Sequence, residues 1–245
     1  MTQRFFHRWF PNETHHVAGL YREIQRVLPE AGRLLDLGCG ANHHLAQFRA
    51  VEREVWGADF ERHPQQQHEE WFRVLGRDAS IPFDDASFDI VVTNMVLEHV
   101  ADPAGFFREV ARVLKPGGFF LGHTISGIHY VTWARRLIGL LPHAWNQALI
   151  KKLYRRECHD TFPTYYRLNT PRKFARAAQP PGLQLVSVQR YACPGYFTFS
   201  ALLYRCAVLS DWFCDQLIPG MGRIYFTATL QKAAAANEVC ARRAA

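Results

Sequence analysis

The chain has 245 residues, 48% of them hydrophobic and 13% aromatic, with a formal net charge of +7. That composition excludes a disordered or fibrous chain and allows one large α/β core with insertions. Its six cysteines, Cys39, Cys158, Cys193, Cys206, Cys214 and Cys240, make no C-x-x-C and no zinc-ligand spacing, and the N-terminal MTQRFFHRWFPNETHH holds no unbroken apolar run, so a cytoplasmic protein with free thiols and no metal centre is expected.

Val17, Leu20, Tyr21, Ile24, Val27 and Leu28 recur at helical spacing over 14–28, closed by Pro29 and Gly32. The run Leu34, Leu35, Leu37 then predicts a buried strand that enters a tight turn at Gly38-Cys39-Gly40. ANHHLAQFRA (41–50) reads as the helix that follows. VWGAD (55–59) is a second strand with Asp59 at its carboxyl end, and WFRVLGRD (71–78) a third that ends at Asp78-Ala79. FDIVVTNM (88–95) is the clearest β-branched run. Pro103 at the first position and Asp102 as N-cap open a helix over 103–114, which Lys115-Pro116-Gly117-Gly118 breaks before a fifth strand, FFLGHTI. LQLVSVQRYA (183–192) and RIYFTATLQKA (223–233) predict two more strands, and Thr170-Pro171 predicts a helix over 171–178. Strands that alternate with helices at this spacing imply a parallel sheet covered on both faces.

A glycine turn between strand and helix lets a ligand approach the backbone closely, and in doubly wound sheets ligands bind at the carboxyl ends of the strands. Asp59 would there accept hydrogen bonds from ribose hydroxyls, Phe60 would pack on a purine, and Asp78 would receive an exocyclic amine. Each acid alone is also a common turn residue; three in order, each after its own strand, point to a site. The series LLDLGCG, VWGADF, GRDASIPFDDASFDIVVTNMVLEHV and RVLKPGGFF, over 33–123, resembles the class I S-adenosylmethionine-dependent methyltransferases, in particular the group called methyltransferase type 11.

The resemblance implies an α/β fold, Rossmann-like and doubly wound: a mostly parallel seven-stranded sheet with helices on both faces and a helical insertion after the fifth strand. It implies one domain, with an N-terminal helical segment (1–32), a cofactor-binding core (33–123), an insertion and acceptor region (124–182) and C-terminal strands with an apolar helix (183–245). S-adenosyl-L-methionine would be the cofactor. Asp36, Gly38 and Gly40 would shape the pocket for its methionine part, Asp59 would bind the ribose, Phe60 would flank the adenine, Asp78 and the backbone of Ala79 would bind its edge, and the backbone of Asn94 would line the methionine end. Asp89, Glu98 and His99 carry structural readings of equal weight. Asn42 departs from the pattern, which commonly has a third glycine there; asparagine tolerates the left-handed backbone such a turn needs. A dinucleotide fingerprint would need glycine at position 43, where this chain has His43, which speaks against a nicotinamide dehydrogenase.

Methyl transfer from a sulfonium needs an in-line acceptor and exclusion of water. An oxygen acceptor would gain from a base, for which His123, His129 and His159 are candidates, with Tyr130, Tyr165 and Tyr166 to orient it; each also reads as a structural residue. Between 124 and 190 eleven basic residues face two acidic ones, a net +9. Around Pro142, within 127–157, these mix with Trp133, Leu137 and other apolar residues, which suits an interfacial helix on an anionic membrane. The apolar 196–218 is broken by Arg205, Asp211 and Asp215, and its unbroken apolar pieces are too short to span a bilayer; it reads as a helix packed on the sheet, a wall for a lipid-like acceptor or a membrane-facing surface. HDTFPTYYRLNTP (159–171) is the expected acceptor loop. The expected partners are a small-molecule or lipid-like acceptor and an anionic membrane surface, with RNA or protein methylation as an alternative because a basic patch alone is permissive. The rival from another class is a peripheral-membrane binding protein on a degenerate methyltransferase fold.

Overall fold

The computed structural model describes residues 2–42, 44–139, 163–197 and 200–234. Seven strands form one sheet: β1 (Gly32–Leu37), β2 (Arg53–Asp59), β3 (Phe72–Val74), β4 (Phe88–Asn94), β5 (Leu114–Ile125), β6 (Leu183–Tyr191) and β7 (Tyr225–Lys232). Their spatial order is β3-β2-β1-β4-β5-β7-β6. The pairs from β3 to β5 are parallel, and β7 runs antiparallel to both β5 and β6. The fold is thus Rossmann-like and mostly parallel, as the strand–helix alternation predicts.

Neighbouring residues along each central strand enter opposite cores, because side chains alternate across a sheet. Leu34, Ile90, Val92 and Leu121 pack with Leu20 and Ile24 of α2 (His16–Val27) on one face. Leu35, Val91 and Phe120 pack on the other face with Phe107 and Val110 of α3 (Pro103–Val113). Near-continuous apolar runs are what a sheet buried on both faces requires. Asp102 caps α3 by accepting from the Ala104 N–H, and Pro103 takes the first position. Asp102→Ala is expected to lower stability by about 1 kcal/mol, read as a shift in the urea midpoint at unchanged slope.

Four expectations are corrected. No α-helix follows β1: residues 41–50 hold one 3-10 turn, Ala46–Phe48. Gly38, Gly40 and Asn42 all have positive φ (79°, 52° and 57°), which keeps the backbone out of a helix. Arginines tie the segment down instead: Arg53 donates to the Phe48 oxygen, and Arg49 donates to the Val55 oxygen of β2 at 2.8 Å. The third strand stops at Val74, not Asp78, since β3 is an edge strand and the chain turns at Gly76. Lys115-Pro116-Gly117-Gly118 ends α3 as expected but lies inside β5, with a register shift against β4.

The apolar segment forms a helix that packs on another helix rather than on the sheet. Its buried Tyr204 and Val208 cluster with Phe10 and with Phe5, Phe6 and Trp9 of α1 (Thr2–Trp9). After β5 come α4 (Tyr130–Gly139), α5 (Pro171–Ala178) and this helix, α6 (Ala201–Leu217). Thr170 caps α5 by accepting from the Lys173 N–H. Most of the expected interfacial segment, with Pro142, His159 and the basic residues from Lys151 to Arg156, lies outside the described residues, as do Cys158 and Cys240. No helix among the described residues is long and apolar enough to cross a membrane.

Candidate cofactor and acceptor site

Three adjacent parallel strands, β2, β1 and β4, bring Asp59, Asp36 and Asn94 to the carboxyl edge of the sheet. Between them the chain turns sharply. The Gly38 N–H donates to the Ala58 oxygen at 2.7 Å, and a Cβ on Gly38 would lie 2.3 Å from a methyl of Val96. The Gly40 N–H donates to Asp59 Oδ2 at 2.8 Å, while Asp59 Oδ1 accepts from the Phe60 N–H at 2.7 Å. Nothing lies within 4 Å of where a Gly40 Cβ would point, so the space beside this turn is open. Asn42 holds the turn from behind. It donates to the His68 carbonyl, and its carboxamide sits so close to Gly57 that a Cβ there would be 2.4 Å from its oxygen.

Asp36 is buried, with 4% of its surface exposed. Burial, and then the charge of Asp59, push its carboxyl up to about 7. A buried acid beside a partly exposed one, the buried Asp36 near half-protonated at neutral pH, forms a site that favours a cation. Cys39 lies in the same pocket, where burial and the two acids raise its thiol well above the ordinary range.

At the end of β4, Asn94 Oδ1 is buried without a hydrogen-bond partner. A buried amide oxygen left unpaired costs about 1–3 kcal/mol, which a ligand's donor would recover. Met95 follows with φ of 59°, and its N–H donates to the His123 carbonyl of β5.

Phe60 is half exposed, as a ring available to a ligand must be. Asp78 is exposed and lies in a turn, four residues past β3; its Oδ1 accepts from the Ser80 N–H and hydroxyl, which hold its pKa below the usual carboxylate value. The Ala79 N–H donates to the Gly76 carbonyl at 2.9 Å, so this donor is committed to the turn. Asp89 lies at the other end of β4, where it accepts from the Arg33 N–H and from Lys115 Nζ, both at 2.8 Å. That geometry is structural.

Glu98 is buried in the 3-10 turn after β4 and accepts from the Thr124 hydroxyl at 2.8 Å; burial raises its pKa. Asn169 donates to Thr124 Oγ1 and to the Ile125 carbonyl. The Glu98 carbonyl in turn accepts from the Tyr165 and Tyr166 N–H groups. A buried polar network thus ties the edge of β4 and β5 to the loop expected to face the acceptor.

His123 is fully buried. Its Nδ1 lies 2.9 Å from Thr227 Oγ1 and its Nε2 lies 3.0 Å from His16 Nδ1. His16, the first residue of α2, is half-buried and stacks on Tyr225 with ring centroids 4.0 Å apart. Burial, and then neighbouring imidazoles, depress His123 to about 3 and His16 to about 4. Both rings are therefore neutral at pH 7. An NMR titration is expected to find neither protonating between pH 8 and 5.5. Unfolding restores a value near 6.5, so the unfolded chain binds more protons below that pH. The stability from this pair is full above about 6.5 and is lost as pH falls toward 3–4.

His129 is buried elsewhere, 3.2 Å from Asp211 of α6, and its Nδ1 accepts from the Val131 N–H; this pair braces α4 against α6. Tyr130 is beside the same aspartate, and burial raises its hydroxyl pKa. Tyr166 is buried under the Arg136 guanidinium, whereas Tyr165 is exposed next to Arg167. His159 lies outside the described residues. Among the described residues no cluster of three His, Cys, Asp or Glu side chains is arranged to hold a metal. His16 escapes sequence reasoning: His15-His16 reads only as a helix start, and its partner is 107 residues away.

Residues 35–122 match the methyltransferase domain. A protein of Mycolicibacterium smegmatis named as a probable S-adenosylmethionine-dependent methyltransferase is 37% identical over 105 residues, 41% of each chain. A ubiquinone biosynthesis O-methyltransferase of Alkalilimnicola ehrlichii is 30% identical over 135 residues, 48% of this chain and 55% of that protein. The chain thus spans about half or less of the length of these curated relatives. In fold it is similar to the geranyl diphosphate C-methyltransferase of Streptomyces coelicolor, solved with S-adenosyl-L-homocysteine, at a TM-score of 0.54 and 16% identity over 88% of this chain and 76% of that one.

Proposed function

We infer that this chain, whose residues 35–122 carry a methyltransferase domain, is an S-adenosylmethionine-dependent methyltransferase. The observation that carries the reading is the edge where Asp36, Asp59 and Asn94 converge around an open glycine turn. Two acids suit a cationic ligand, and the unpaired Asn94 oxygen suits a ligand with a donor. S-adenosylmethionine carries both and supplies a methyl group already activated on a sulfonium.

In this reading Asp36, Gly38, Gly40 and Asn94 hold the methionine part. Asp59 keeps the turn closed through Gly40 and Phe60 and offers its remaining lone pairs to the ribose. Phe60 covers one adenine face, and Asp78 with the carbonyl side of the Ala79 turn meets the adenine edge. The chain's main contribution is orientation and dryness. The network of Glu98, Thr124 and Asn169 fixes the acceptor loop 163–169 over the strand ends. Where the acceptor is a hydroxyl, the His16–His123 pair, depressed to about 4 and about 3, is too weakly basic to take its proton and serves as a neutral, positioning pair.

The acceptor is a small or lipid-like molecule. This finer proposal is supported by the exposed Trp133, Leu137 and Tyr165 next to Arg136 and Arg167, which suit an apolar body with an anionic end. Titration calorimetry with S-adenosylmethionine and S-adenosylhomocysteine tests the reading; no heat at millimolar ligand would remove it. Mass spectrometry of extracts incubated with methyl-labelled cofactor then identifies the acceptor.

A further inference from the structure

Helix α6 has two apolar faces, and among the described residues only one of them is covered. Tyr204, Ala207, Val208 and Asp211 are buried against the body of the protein. At 3.6 residues per turn, Leu202, Cys206, Leu209, Phe213 and Leu217 fall within an arc of about 80° on the opposite side. All five are exposed, Leu202 by 72%, Leu217 by 65% and Phe213 by 56%. An apolar stripe of this length on a water-facing helix marks a contact surface.

Among the described residues of α1 and α6, the charges not engaged elsewhere are basic. Arg4 and Arg8 are exposed on α1, which packs along α6 and carries no acid. Arg205 of α6 stands over the Phe5 ring of α1 at 5.5 Å. The two acids of α6 are already engaged, Asp211 with His129, and Asp215 with Arg223 and the Gly220 N–H. At the seam, Trp9 lies 4.9 Å from Trp212, and its indole N–H is buried without an acceptor.

We propose that α1 and α6 form a docking surface for an anionic lipid bilayer, with α6 lying flat and its stripe in the acyl boundary. The arginines flanking it meet lipid phosphates, as in interfacial helices with a basic polar face. From Leu202 to Leu217 the stripe is about 22 Å long, shorter than a bilayer's hydrocarbon core, and no described helix is long and apolar enough to cross it. A second copy of the chain is a poorer occupant, because a two-fold interface would set the same arginines beside one another. The His129–Asp211 pair braces α6 on the face opposite the stripe and so holds the stripe outward. This surface is independent of methyl transfer.

Flotation of the full chain with vesicles tests it. Recovery is expected with vesicles of equal parts phosphatidylcholine and phosphatidylglycerol, to fall in high salt, and to be absent with phosphatidylcholine alone. Leu209→Ser with Phe213→Ser should lower the partition coefficient about tenfold or more. Arg4→Gln with Arg8→Gln should lower it only for the anionic vesicles. Circular dichroism melting checks that each variant folds, and Leu202→Ser with Leu217→Ser serves where the first pair does not. Unchanged binding of S-adenosylmethionine in these variants keeps this result separate from the inferred methyltransferase activity. Three results overturn the proposal: no flotation with anionic vesicles, equal flotation after the apolar substitutions, or a dimer in light scattering that those substitutions dissolve while vesicle binding is nil.

Discussion

Asp36→Asn is expected to weaken binding of S-adenosylmethionine about a hundredfold and yet to make the protein more stable above pH 7. Both effects come from burial. In the folded chain the carboxyl is pushed up to about 7 from its ordinary value of 3.8. Between these values the native state holds a proton that the unfolded state has lost. Stability therefore falls as pH rises from about 4 to about 7 and stays reduced above it. At 1.36 kcal/mol per pKa unit the full cost is about 4 kcal/mol. Asparagine removes it, and melting curves at pH 6.5 and pH 8 should converge in the variant. Under the proposed function the negative charge meets the ligand's cation, and losing one partner of a buried charge pair costs about 2–5 kcal/mol of binding. In the wild type, cofactor affinity should rise from pH 6 to pH 8 as Asp36 ionises. Calorimetry at matched ionic strength reads this directly; a flat profile would sink the assignment of Asp36 as the group that meets the cation.

Asp59→Ala should also weaken cofactor binding about a hundredfold, by a different route. The Gly40 and Phe60 N–H groups lose their acceptor, and the glycine turn loses its tie to β2. Asp59→Asn keeps one acceptor oxygen and should recover part of the folding loss while leaving cofactor affinity low. Because the charge of Asp59 helps to raise Asp36, either substitution should move the pH midpoint of the Asp36 effect toward acid. A double-mutant cycle with Asp36→Asn measures that coupling, and strict additivity of the two would show that the carboxylates act independently. The histidine pair drives stability the other way with pH, so the comparison is cleanest above pH 6.5, where His16 and His123 contribute no slope.

Much of the frame was legible because its signals are local. The runs around Leu34, Val55 and Val91 are long enough to name buried strands, and Asp102-Pro103 marks a helix start by its own chemistry. The glycines at 38 and 40 announce a turn whatever surrounds them. Other features depend on partners far away in sequence. The segment 41–50 looked helical because Leu45 and Phe48 are apolar, but the positive φ of Asn42 and the side chains of Arg49 and Arg53 organise it as a compact turn. His16 meets His123 only after the sheet is assembled. The apolar helix at 201–217 could be seen as apolar, but which face would be covered depended on α1, whose contact with it joins opposite ends of the chain. Asp78 lay where a strand end was expected; its turn was set by Gly76 and Ser80, too short-range for periodicity and too varied for a motif.

The placement of β7 has a consequence for how the molecule is made. This strand is inserted between β5 and β6, yet it is the last of the seven in the chain. Until it leaves the ribosome, β5 has a bare hydrogen-bonding edge and β6 has nothing to pair with. Unpaired edges of this kind invite association with other nascent chains. Completion of the sheet thus waits for β7, and a chain stopped before residue 225 is expected to engage chaperones and aggregate rather than fold.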